Sequence, residues 1–273
     1  MYTLNCKGKL LVIDKPLIMG IINVTPDSFY KGNIDDDLIL MAEKMLNSGA
    51  NILDLGGQST RPKSIRISVE EELQRVLPAI ENIHKNFPEA IISIDTYYSD
   101  VAKAAVNAGA SIVNDISAGN MDVQMIKTVA GLKVPYICMH MQGSPDTMQE
   151  NPQYNNVTKA VTEFFITKIN ECKNAGITDI IVDPGFGFGK TVEQNYELLR
   201  NLSSLKILDK PILAGLSRKS MIWKALHTTA ENALNGTIAL NTIALLNGAS
   251  ILRVHDVKEA KDVVDILNIY SNA

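Results

Sequence analysis

The sequence predicts an α/β fold, a (β/α)8 TIM barrel with a short N-terminal hairpin, on three observations. Eight short apolar runs recur along the 273 residues: LIMGIIN from Leu17, NILDLGG from Asn51, AIISIDT from Ala90, SIVNDIS from Ser111, VPYICMH from Val134, DIIVDP from Asp179, PILAGLSRKS from Pro211 and SILRVHD from Ser250. Buried β-branched runs are what parallel strands covered on both faces require. Nearly every run ends in a polar or charged cluster, a poor choice for packing alone. Gathered on one rim, such ends make a site, as they do at the C-terminal face of this barrel class. Stretches with helical spacing lie between the runs, and the length suits one barrel of roughly 250 residues.

The elements follow in order. The residues before Asp14 are expected to form a hairpin that closes the bottom of the barrel. Residues 36–48 place Leu38, Met41, Met45 and Leu46 on one helical face, and Gly49 is a C-terminal stop. Residues 69–87 place Leu73, Val76, Leu77, Ile80, Ile83 and Phe87 on one face before Pro88. Residues 99–107 open with a Ser99 cap and close before Gly109. Further helices are expected at 122–129, 156–174, 192–202, 231–246 and 258–269. No linker, charge run or low-complexity segment divides the chain, so residues 1–273 read as a single domain. Segments 25–35, 56–68 and 142–154 are too long for plain connections. All three leave strand ends on the proposed rim, where long loops are usually lids or binding loops.

Composition narrows the function classes. Hydrophobic residues make up 46% and charged residues 21%, ordinary for a globular enzyme and wrong for a disordered chain. Net charge is −4 with no basic face, so no nucleic-acid partner is expected. No segment approaches the roughly 20 apolar residues of a membrane span. The first residues, MYTLNCKGKLLVID, lack the apolar stretch of a signal peptide. Cys6, Cys138 and Cys172 are scattered without a C-x-x-C pair, which points to reduced thiols in a cytoplasm.

The rim residues carry the chemistry. Asp95, Asn114, Asp115 and Asp183 end three different strands. A buried carboxylate without partners costs several kcal/mol, so carboxylates around one mouth need donors. The guanidine-like edge of a heterocycle supplies them; taken singly, each Asp has the ordinary alternative of capping a helix. Ser217-Arg218-Lys219-Ser220 ends the seventh run, and Arg253 and His255 end the eighth. The loops after strands 7 and 8 of such barrels frequently bind phosphate, and Arg and Lys there suit a phosphate or diphosphate. Salt bridges to Asp183 or Asp256 are the bland alternative. Asn23 ends the first strand, where an amide oxygen suits Mg²⁺ if a diphosphate supplies other ligands. Arg61, in Ser59-Thr60-Arg61-Pro62, either reaches the site or is solvated. Gly185 to Thr191 (GFGFGKT) looks like a phosphate loop, but Pro184 stands where the P-loop needs glycine. Its glycines let the backbone approach a flat ligand, with Phe188 available to stack.

At these residues the chain strongly resembles the dihydropteroate synthase (pterin-binding) family. The matching segments are NVTPDSF from Asn23, STRP from Ser59, SIDT from Ser93, VND from Val113, MHMQG from Met139, DPG from Asp183, GFGK from Gly187, GLSRKS from Gly215 and RVHD from Arg253, in the family's order over nearly the whole chain. The resemblance implies joining 6-hydroxymethyl-7,8-dihydropterin diphosphate to p-aminobenzoate, with diphosphate released, Mg²⁺ required, a homodimer, and a sulfonamide target. It assigns pterin recognition to Asp95, Asn114, Asp183 and Lys219, and the pterin cover and phosphate contact to Arg253. Asn23 takes the metal and diphosphate contact, and His255 joins Arg253 in the anion pocket. Thr60, Arg61 and Pro62 match the p-aminobenzoate loop, with Ser220 near that substrate. Met139, Phe188 and Gly215 complete the implied lining, and Asp95, Lys219 and Arg253 the implied catalytic set. Departures are Tyr30-Lys31-Gly32-Asn33 after Phe29, Gln58 for a common Glu, Phe186 for an aliphatic residue and Trp223 for a Gly. The apolar stretch 238–246 fits a helix covered by a second subunit.

The expected mechanism ionises the pterin CH₂–O bond before the amine attacks. A corrinoid-dependent pterin methyltransferase would lack the Ser-Arg-Lys-Ser cluster, and a metal hydrolase barrel would want H-x-H where Asn23-Val24-Thr25 stands. A silent paralogue that only binds pterin would look much the same.

Overall fold

The computed structural model describes residues 1–25, 34–58, 66–144, 147–148 and 152–271. β1 (Tyr2–Cys6) and β2 (Lys9–Ile13) pair antiparallel, so the expected hairpin is present. Lys7 and Gly8 both have positive φ (54° and 90°), the two-residue turn that matches strand twist. The eight apolar runs become β3 (Leu17–Asn23), β4 (Ile52–Gly56), β5 (Ile91–Asp95), β6 (Ile112–Asp115), β7 (Tyr136–Met139), β8 (Ile180–Asp183), β9 (Leu213–Ala214) and β10 (Ile251–Val254). All pair parallel, in the order β8-β7-β6-β5-β4-β3-β10-β9. A lone parallel bridge between Val182 and Ile212 joins the two edge strands and closes the ring.

Helices cover the outside: α1 (Ile34–Asn47), α2 (Val69–Asn86), α3 (Ser99–Ala108), α4 (Met125–Leu132), α5 (Val157–Ala175), α6 (Val192–Arg200), α7 (Ser220–Ala225), α8 (Leu234–Leu246) and α9 (Val257–Ser271). Two local expectations are corrected. Ser99 is the first helical residue of α3 rather than its cap, because Asp122 from the next connection accepts its backbone N–H at 2.7 Å. The same carboxylate accepts from Gln124 N–H at 2.9 Å, and α4 starts only at Met125. α7, which was not expected, starts at the last residue of the seventh apolar run, and of that run only Leu213 and Ala214 are strand. Among the described residues no helix is long and apolar enough to cross a membrane.

Period-two alternation sorts the strand side chains into layers. Ile18, Ile22, Leu53, Leu55, Ile92, Ile94, Val113 and Val182 face the helices and join one large apolar cluster. Leu17, Met19, Ile52, Ile112, Ile137, Ile181, Leu213 and Ile251 instead fill the lower barrel interior, capped by Leu4, Cys6, Leu11 and Ile13 of the hairpin. Burial of Leu4, Leu11 and Ile13 stabilises this floor by about 1.5–3 kcal/mol each. Two residues further along the strands, the inward positions turn polar: Asp54 follows Ile52, Asn114 follows Ile112, Asp183 follows Ile181 and Arg253 follows Ile251. A dry floor therefore carries a charged ceiling.

α2 brings one carboxyl into the wall. Glu72 is fully buried and accepts from Gln58 Nε2 at 2.9 Å, while Gln58 Oε1 accepts from the Tyr97 hydroxyl at 2.7 Å. Burial pushes Glu72 up to about 8, and the Asp95 charge adds to the shift. A carboxyl raised above its unfolded value stabilises the protein below pH ~4.5, and that stability is lost as pH rises toward 8. Glu72→Gln should therefore gain melting temperature on the wild type progressively between pH 5 and pH 8. Thermal denaturation that gave the same difference at both ends would refute the buried neutral acid.

Candidate active site

The polar ceiling converges on a single bowl. Arg253 Nε donates to Asp54 Oδ2 at 2.6 Å, and Arg253 Nη2 donates to Asp95 Oδ2 at 2.5 Å. Asn114 Nδ2 donates to Asp54 Oδ2 at 3.1 Å. Strand register produces this grouping, since Gly56 lies beside Asp95 and Asp95 beside Asn114. Asp54 is completely buried as a side chain, whereas Arg253 keeps 20% exposure toward the mouth. The second oxygen of Asp95, Oδ1, is buried without a hydrogen-bond partner among the described residues. Burial holds the Asp95 carboxyl above its usual range against the pull of Arg253. Burial also raises Asp183, with Lys219 opposing, and Asp183 Oδ1 accepts from Gly185 N–H at 2.8 Å.

The cations come from β10 and from the start of α7. Lys219 is the N-cap residue of α7, and its Nζ donates to the Phe186 carbonyl and sits 4.5 Å from the Phe188 ring centroid. Burial depresses its pKa to about 8, while Asp183 favours the charge. Gly215 marks the crossing point: a Cβ there would lie 3.8 Å from Lys219 Nζ and 4.0 Å from both Asp183 Oδ2 and Arg253 Cβ. Asp183, Lys219 and Arg253 thus share one space, as the sequence predicts. His255 stands exposed past β10, with Nδ1 3.0 Å from Ser217 Oγ. Ser220 opens α7 and is partly exposed.

Two rim expectations are corrected. Arg218 does not enter the bowl. Its Nε and Nη2 bind Asp256 bidentately at 2.9 and 2.8 Å, and its positive φ of 56° turns it outward. Asp115 is also removed from the site. It accepts from Ser117 N–H, Ser117 Oγ, Gly119 N–H and the Tyr136 hydroxyl, each at 2.7 Å. The period of two points it outward where Asn114 points inward.

Of the remaining expected residues, Asn23 ends β3 with an exposed side chain and pairs in register with Gly56. Met139 is buried with Tyr97 and Ile116, against Phe188 and Met141, as an apolar shelf beside the bowl. Thr60, Arg61 and Pro62 lie outside the described residues, as does the segment 26–33. Asp54 was missed as a site residue because it sits in mid-run. The signal was the repeated spacing Ile52-Leu53-Asp54, Ile112-Val113-Asn114 and Ile181-Val182-Asp183.

Carboxylate and amide acceptors on β4, β5, β6 and β8 thus share one bowl with a lysine from the start of α7 and an arginine from β10. Such a bowl can hold a flat N–H-rich ring against one wall and an anion against the other. The model of the family described as pterin binding enzyme matches residues 19–255. Dihydropteroate synthase of Escherichia coli strain K12 is 43% identical over 266 residues, 96% of this chain and 94% of that protein. The structure of Xanthomonas albilineans dihydropteroate synthase with 4-aminobenzoic acid superposes with a TM-score of 0.93 at 37% identity, covering 99% of this chain and 98% of that one. Yersinia pestis dihydropteroate synthase with a sulfonamide drug superposes with a TM-score of 0.93 at 38% identity over 100% of both chains. With the barrel, the paired walls and these relatives in agreement, the chain belongs to the dihydropteroate synthases of the pterin-binding enzyme family.

Proposed function

We propose that this chain condenses 6-hydroxymethyl-7,8-dihydropterin diphosphate with p-aminobenzoate, giving 7,8-dihydropteroate and diphosphate. The observation that carries this reading is the unpartnered Asp95 Oδ1 in a bowl that Lys219 and Arg253 share, with Arg253 bound directly to Asp95. A dihydropterin presents ring N–H and amino groups as donors, and Asp95, Asn114 and Asp183 are acceptors at the height to receive them. Lys219 and Arg253, with His255 at the rim, hold the diphosphate. Met139, Phe188 and Gly215 line the space between, and Ser220 and the Thr60–Pro62 segment take the arylamine.

The reaction breaks the pterin CH₂–O bond, and the electron pair leaves with the diphosphate. Lys219 and Arg253 stabilise the departing charge, and Asp95 stabilises the cation delocalised over the ring. The arylamine nitrogen then bonds to the methylene and sheds a proton made acidic by that bond. Cys6, Cys138 and Cys172 are buried free thiols, so none of them serves as a nucleophile for this step. The donor set also fits Mg²⁺ held mainly by substrate. Among the described residues no cluster of three His, Cys, Asp or Glu forms a cage, while the exposed amide oxygen of Asn23 offers one hard ligand beside the bowl. When bound, the ion would neutralise diphosphate charge.

The setting is the cytoplasm, which the three reduced thiols suit. The partner is a second copy of this chain. α8 is rich in apolar residues and packs on α9, and Ile243 and Leu246 of α8 are exposed, as are Ile266, Ile269 and Tyr270 of α9, apolar surface that a homodimer would cover. Light scattering at micromolar concentration should give the mass of two chains; a monomer there removes this partner.

Purified protein should release diphosphate from the pterin substrate only with p-aminobenzoate present, and chelation of Mg²⁺ should stop it. Asp95→Asn should lower kcat by about 10²–10³-fold. Turnover at the wild-type rate in that variant would sink the cation role, and a protein that binds pterin without any release would be a silent paralogue. Asp54→Asn leaves Arg253 with one carboxylate and should cost on the order of 10²-fold in kcat/KM for the pterin substrate, as misplaced groups do. Steady-state kinetics with unchanged kcat/KM would make Asp54 a spectator.

A further inference from the structure

The lysine of the GFGFGKT segment does not face the bowl, and its surroundings assign it a different task. Lys190 is 2% exposed. Its Nζ lies 2.9 Å from the Gly185 carbonyl, 3.0 Å from the Phe188 carbonyl and 3.0 Å from His140 Nδ1, with the His140 carbonyl at 3.5 Å. Three close acceptors match the three donors of an ammonium. Burial, and then the Lys190 charge, push the His140 imidazole down to about 3 and keep it neutral, and an ammonium at Nδ1 has only donors to offer, so Nδ1 is the accepting nitrogen of the pair. The connection is compressed onto the β7 end from both sides. A Cβ on Gly185 would strike the His140 carbonyl at 1.9 Å, and one on Gly189 would strike the Gln142 carbonyl at 2.6 Å. Between those glycines lie the two groups that touch the Lys219 ammonium, the Phe186 carbonyl and the Phe188 ring. Gly187 is seated against the Lys219 stem, where a Cβ would meet Cδ at 3.0 Å.

We infer that Lys190 is a positioning residue for the reaction: pinned by His140, it ties the 185–189 turn into the shape that aims Lys219 at the substrate anion. The substrate named here rests on the reading of the bowl as a pterin diphosphate site.

The test compares Lys190→Met, Lys190→Arg and wild type. Two readouts are taken on folded protein, the KM and kcat for the pterin diphosphate and the rate of acetic anhydride labelling of Lys219 against the surface Lys258. Lys190→Met should raise the pterin diphosphate KM about 10-fold or more and lower kcat/KM on the order of 10²-fold. Lys219 should label several-fold faster relative to Lys258, and Lys190→Arg, which keeps the donors, should recover part of both effects. A Lys190→Met enzyme with wild-type KM and labelling, and kcat reduced only by its inactive fraction, would overturn the inference and leave Lys190 a packing residue. If Lys190→Met does not fold, His140→Phe removes both ring nitrogens, the Nδ1 acceptor among them, and keeps an aromatic ring in place. It should move KM and labelling in the same direction, and unchanged values would count against the inference. Should wild type release no diphosphate with p-aminobenzoate, the pterin reading fails by itself, and the labelling ratio alone decides the role of Lys190.

Discussion

Arg253 is clamped between Asp54 and Asp95, and the bowl takes its shape from that clamp. Removing three charged groups from water costs several kcal/mol per ion, so the cluster persists only with close, well-aligned partners. The guanidinium provides them through two different nitrogens, to carboxylates on two different strands. One cation between two carboxyl groups leaves Asp95 short of donors, since its Oδ1 has no hydrogen-bond partner among the described residues. The clamp is kept in place by the rigidity of β4, β5 and β10, whose lower residues are locked into the dry floor.

Lys219 reaches the bowl by a different structural route from the acceptors, and this difference has chemical sense. Asp54, Asp95, Asn114 and Asp183 are within strands, where backbone hydrogen bonds on both sides hold them to fractions of an ångström. Lys219 comes from a helix start and is steered by a turn stitched together through Lys190. A flat heterocycle needs fixed complementary edges, whereas a leaving anion changes its charge and contacts during the reaction. Electrostatic stabilisation of that charge is most effective when the donors are already oriented and partly desolvated. Lys219, with a depressed pKa and a carbonyl already on its amine, meets both conditions.

The lower half of the molecule serves stability and the upper half chemistry, and the boundary falls within single strands. On β8 it lies between Ile181, in the floor cluster, and Asp183, in the bowl, and on β10 between Ile251 and Arg253. The hairpin completes the lower half by supplying Leu4, Cys6, Leu11 and Ile13 where the open barrel end would otherwise wet its floor.

Taken alone, the sequence determined the eight strands, the alternation with helices, the hairpin and the rim membership of Asp95, Asn114, Asp183, Lys219 and Arg253. These are written in local periodicity and in polar residues at run ends, which depend only on neighbours a few positions away. Tertiary structure decided the partners. Asp54 was hidden because it lies inside an apolar run, and only barrel closure brings it to Arg253, 199 positions further along. Asp115 and Arg218 read as site residues until the strand pleat and a positive φ turned them to Ser117, Tyr136 and Asp256. Lys190 looked like half of a failed phosphate loop, and its acceptor on His140 comes from the neighbouring strand end. Periodicity says which face a side chain takes, but a charge chooses its partner by distance and burial, and both exist only after the chain has closed on itself.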